Sequence, residues 1–91
     1  MDDRTILGHL EALAESLDVD VRYEGVESEG SFPSGGLCRV RDRYYIIVNS
    51  AAGPGDRIQT IARALKRFDL SRVYLKPALR ELLEGMTEEE A

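Results

Sequence analysis

The 91-residue chain is predicted to fold as a single α+β domain, and three patterns predict it. Helical periodicity appears near the N-terminus and again after residue 56, while the segments between alternate with period two or are dense in β-branched and aromatic residues. Two of those segments lie close enough in sequence to form a hairpin. The expected architecture is an N-terminal helix, a small, mostly antiparallel three-stranded sheet with a hairpin, and two further helices on one face. A hydrophobic content of 43% suits one modest core, so residues 1–85 are read as the domain and residues 86–91 as an acidic frayed tail.

Ile6, Leu7, Leu10, Leu13, Ala14 and Leu17 share one helical face, which predicts a helix from about Asp3 to Leu17 with Asp2 and Asp3 at its positive end. Val19, Val21 and Tyr23 alternate with Asp20, Arg22 and Glu24, the signature of a half-buried strand. Gly25 to Gly36 reads as a surface loop, and its Gly35-Gly36 pair lacks the lysine and helix start that a phosphate-binding loop requires. Leu37 to Arg41 and Tyr44 to Asn49 flank Asp42-Arg43 as a tight hairpin. Arg39 and Arg41 are expected on one face of its first arm, solvent-facing, with Cys38 and Val40 on the other. The run Tyr44 to Val48 is apolar on both faces, as in a strand covered on both sides.

Ser50 to Gly55 interrupts the pattern. Asp56 is expected to cap a second helix over about Arg57 to Phe68, with Gln59 completing a capping-box-like pair. Ile58, Ile61, Ala62, Leu65 and Phe68 form its buried stripe. Val73-Tyr74-Leu75 reads as a brief strand or extended link, and Pro77 opens a third helix carrying Leu79, Leu82, Leu83 and Met86.

The net charge of −5 argues against a general nucleic-acid binder, but it is unevenly distributed. Between Arg39 and Arg67 there are seven bases against two acids, a net of +5, which leaves −10 for the remainder. Those seven, Arg39, Arg41, Arg43, Arg57, Arg63, Lys66 and Arg67, form the candidate binding patch. Cys38 has no cysteine partner and reads as a small buried thiol in a strand; His9 lies in a different element, so the two do not suggest a nucleophile and its base. No apolar run approaches the roughly 20 residues of a membrane span, and the first residues lack a secretory pattern, so the expected location is the cytoplasm.

From Gly36 to Phe68 the chain resembles the minimal ImmA/IrrE-type metallopeptidases. Ile47-Val48-Asn49, a loop with Arg57, and the helix phrase Thr60-Ile61-Ala62 with Leu65 and Phe68 carry the resemblance. In that family the helix contains His-Glu-x-x-His, two zinc-binding imidazoles with a glutamate base. Here Arg63 and Arg67 align with the metal ligands and Ala64 with the glutamate. A guanidinium is always protonated and offers no lone pair, so the resemblance implies a framework without the metal or the chemistry.

The expected function is that of a catalytically inactive interaction or regulatory module, a pseudoenzyme with no cofactor and no metal. Its partner would be another protein or a second copy, with a homodimer by sheet extension or helix packing compatible with an open edge near Val19 to Tyr23. The alternative is phosphate or nucleic-acid binding through the basic patch, with Tyr44 and Tyr45 as stacking groups.

Overall fold

A computed structural model of the protein describes residues 2–25 and 36–85. The element order is α1 (Asp3–Ser16), β1 (Val19–Glu24), β2 (Gly36–Val40), β3 (Arg43–Asn49), α2 (Pro54–Leu65) and α3 (Pro77–Gly85), an α+β fold as the patterns predict. Most of the Gly25 to Gly36 loop, Met86 and the acidic tail lie outside the described residues.

The Asp2 carboxylate caps α1 by accepting the Thr5 N–H at 2.9 Å, and this bond holds its pKa below the usual carboxylate value. The helix ends at Ser16 with Leu17 as its C-cap, and Asp18 turns the chain into β1 with φ 63°, a left-handed conformation that aspartate tolerates better than most residues.

β3 is the central strand of a sheet ordered β1-β3-β2. The β2–β3 hairpin supplies the expected antiparallel ladder, while β1 lies on the other side of β3 and runs parallel to it, so the sheet is mixed. Central placement explains why β3 is apolar on both faces: Ile46 and Val48 enter the helix-side core, and Ile47, on the opposite face, is only 2% exposed. The hairpin turn is Arg41-Asp42, one residue earlier than the composition suggests, because Val40 pairs with Arg43. Arg41 therefore sits in the turn with φ 61° instead of sharing the face of Arg39.

α2 begins three residues before the expected start. Gly53 is its N-cap and Pro54 its first residue, a position where the missing N–H is harmless; Asp56 lies inside the first turn and does not cap. The helix closes at Leu65, leaving Phe68 just beyond it. Val73 to Leu75 forms no strand: the Val73 N–H donates to the Leu70 carbonyl at 3.2 Å, and Leu75 is buried as the link enters α3. α1 and α2 pack on each other and on the sheet, and α3 adds Leu79 and Leu83 to the same core. Among the described residues no helix is long and apolar enough to cross a membrane.

Candidate functional site

The apolar stripe of α2 decides where its charges go. Ile58, Ile61, Ala62 and Leu65 face the core, which directs Arg63 and Arg67 to solvent and Lys66 to a half-buried position between them. Arg63 stands in the last helical turn, where the negative end of the helix dipole favours a cation by a few tenths of a kcal/mol. Arg67 follows one turn later, its N–H donating to the Ala64 carbonyl at 3.1 Å. Repulsion between like charges at this spacing opposes the dipole by a similar amount, so local helix energetics neither demand nor forbid the pair.

Phe68 links this ridge to the hairpin. Its ring meets Tyr44 edge-to-face, with centroids 5.3 Å apart and planes at 85°, and the Arg39 guanidinium lies 5.7 Å from the Tyr44 centroid. Arg39 also donates from Nε to the Arg41 carbonyl at 3.1 Å. Its approach to Asp42, 3.9 Å with both side chains largely exposed, contributes little. Arg39 thus stands by an aromatic pair whose Phe68 directly follows Lys66 and Arg67 in the chain. Phe68 also lines a pocket of about 290 Å³, together with Leu70, Leu75 and Leu83. Lys66, Arg80, Glu84 and Ser71 complete its lining. Leu70, Ser71 and Arg80 were not singled out by pattern, and Leu75 and Leu83 were read only as apolar residues of the link and the third helix, because only folding brings these segments to α2.

The remaining predicted arginines do not join this surface. Arg43 crosses to Asp20 on the face away from the helices, donating from Nε and Nη2 at 3.2 and 3.3 Å, and the carboxylate holds the Arg43 proton more firmly still. Arg41 occupies the hairpin turn. Arg57, at the opposite end of α2, is half-buried: it donates from Nε to the Ala52 carbonyl at 3.0 Å and from Nη2 to the Ser50 carbonyl at 2.7 Å. Its guanidinium lies 5.2 Å from the Tyr23 ring centroid, and the Tyr23 hydroxyl donates to the Glu11 carboxylate. Partial burial, then the hydrogen bond to Glu11, pushes the Tyr23 pKa up to about 12. Glu11, Tyr23 and Arg57 form a polar clasp across α1, β1 and α2, and Glu11 carried no signal in the sequence.

Tyr44 and Tyr45 lie on opposite faces of β3, Tyr44 against Phe68 and Tyr45 beneath Arg22 at 5.2 Å, so they do not form one stacking platform. Cys38 is half-buried, not fully buried, and pairs with Tyr45 in β2–β3, on the face away from α1 and its His9. Among the described residues no three histidine, cysteine, aspartate or glutamate side chains converge in a metal-holding group. Comparison with known proteins found no matching family model, no matching curated sequence and no matching solved structure.

Proposed function

We propose that this domain is a catalytically inactive interaction module that docks a protein partner on the cationic surface at the C-terminal end of α2. The observation that carries this reading is the outward placement of Arg63 and Arg67, at the two positions that the metallopeptidase resemblance would assign to metal ligands. Both positions are exposed and carry an always-charged guanidinium, which is unsuited to holding zinc. Tyr44 and Phe68 fix the neighbouring Arg39, which lowers the ordering needed on binding. A partner rich in acidic groups meets complementary charge here, a source of specificity and of fast association.

Affinity purification of the intact protein, compared with Arg63→Glu plus Arg67→Glu, tests the reading. A species that co-purifies with the wild type and disappears from the double variant, while both proteins melt at similar temperatures, is the expected result. An unchanged set of partners removes α2 from the function. A salt titration against generic RNA examines the nucleic-acid alternative: binding that falls steeply with salt would favour it, and the split of Tyr44 from Tyr45 predicts none.

A further inference from the structure

The sheet has two outer strands, β1 and β2, and among the described residues neither has a further strand beside it. β1 pairs with β3 in unbroken register from Val19 to Glu24, with no proline and no bulge to turn another strand away. The Glu24 carbonyl accepts the Ser50 N–H at 2.8 Å, which directs the backbone groups of Glu24, and with them those of Arg22 and Asp20, toward β3. Alternate residues of a parallel ladder face opposite ways, so Val19, Val21 and Tyr23 turn their N–H and C=O groups outward. Such a row is a template for another strand. β2 carries Arg39 and no acid, so a second copy of that edge would meet like charge. β1 carries both signs on the face away from the helices, where Asp20 accepts from Arg43 and Arg22 lies 5.2 Å from the Tyr45 ring centroid. These contacts position the two charges without sealing them: the Asp20 side chain stays 43% exposed, and a carboxylate has about four acceptor sites.

We infer that β1 is the pairing edge of a symmetric dimer, in which a second copy of this chain adds its own β1 antiparallel about a two-fold axis at Val21. In that register Val21 exchanges N–H···O=C bonds with Val21 of the second copy, Val19 does so with Tyr23, and Asp20 comes opposite Arg22 on both sides of the axis. Asp20 and Arg22 occupy the closely spaced positions of such a ladder, with Cα atoms about 4.5 Å apart, where opposite charges stabilise. Slipping the pairing by two residues sets Arg22 against Arg22 and Asp20 against Glu24 in one direction. In the other it sets Asp20 against Asp20 and leaves Tyr23 beyond the ladder. Slipping by one opposes the helix side of one copy to the open side of the other. At the ends of the favoured ladder Glu24 meets Asp18, which lies outside the strand in its left-handed turn, so the central pairs decide. The backbone supplies the bonds and the alternating charges fix the register. This edge is separate from the cationic end of α2 and does not depend on it.

Sedimentation equilibrium of the intact protein, from micromolar to millimolar concentration at low salt, should show reversible passage from one chain to two. Arg22→Glu and Asp20→Lys should each weaken the dimer at least tenfold, since each sets like charges opposite one another. Mixed in equal amounts, the two variants should recover the wild-type association. The unchanged Asp20 of one chain then meets the unchanged Arg22 of the other, and the two introduced charges meet with opposite sign. Amide hydrogen exchange on the wild type needs no variant: Val19, Val21 and Tyr23 should exchange more slowly as concentration rises, and the amides of β2 should not change. Where Asp20→Lys, which gives up the contact with Arg43, unfolds the chain, this exchange measurement decides. A protein that stays monomeric throughout overturns the inference and leaves the edge to a strand of another protein. A dimer that both single variants leave intact, or that their mixture fails to restore, overturns the pairing about Val21.

Discussion

At the N-terminal end of α2 the Arg57 side chain is held by two backbone carbonyls and the Tyr23 ring, whereas at the C-terminal end Arg63 and Arg67 extend into solvent. The same residue type near the two ends of one helix meets different surroundings. Arg57 faces the loop that returns from β3, where carbonyls of residues 50 and 52 need donors and a guanidinium fork supplies two. The later arginines lie on the exposed side, away from the buried stripe of α2. One end is tied into the fold by named contacts, and the other is exposed.

That contrast is most sharply tested by truncation. Arg57→Ala removes two charge-assisted hydrogen bonds and an aromatic contact at a half-buried site, and should lower the unfolding free energy by about 2–3 kcal/mol in urea titrations. Arg57→Lys should recover little of this, because an ammonium cannot reproduce the fork. A loss no greater than that of an exposed arginine would mean the clasp is decorative.

Tyr23→Phe probes the same end more gently. It should cost about 1 kcal/mol by removing the bond to Glu11. It also has a pH signature. Folding raises the Tyr23 pKa from 10.0 to about 12, so its contribution is fully present below pH 10 and is lost as pH climbs from 10 to 12. Stability measured across that window should fall more steeply for the wild type than for Tyr23→Phe, and parallel curves would show that the phenol makes no coupled contact.

The smallest effect belongs to the other end. Arg67→Ala should change stability by less than about 0.5 kcal/mol, as expected for an exposed side chain outside the core. Should its thermal or urea midpoint drop as far as that of Arg57→Ala, the division of labour along α2 fails.

Much of the architecture was legible because periodicity reports which face of an element is buried. The stripe Leu10, Leu13 and Ala14 in α1 and the stripe Ile58, Ile61, Ala62 and Leu65 in α2 are core residues, as their spacing predicts. Boundaries were less legible: Gly53-Pro54 outcompeted Asp56 for the start of α2, since a proline in the first turn needs no N–H partner. The parallel pairing of β1 with β3 was not legible at all, because strand alternation records which face is buried and not which neighbour lies alongside.

For the candidate site, the sequence by itself determined that seven cations lie between residues 39 and 67, that Arg63 and Arg67 fall off the apolar stripe of α2, and that no histidine pair stands there. Those are properties of spacing along one element. Tertiary structure alone decided that Arg57 turns inward to Ser50 and Ala52, that Arg43 crosses to Asp20, and that Phe68 joins Tyr44 to a pocket completed by the link and α3. Contacts between residues distant in the chain depend on how elements stack, and a charge acquires its role from the groups that stacking places beside it.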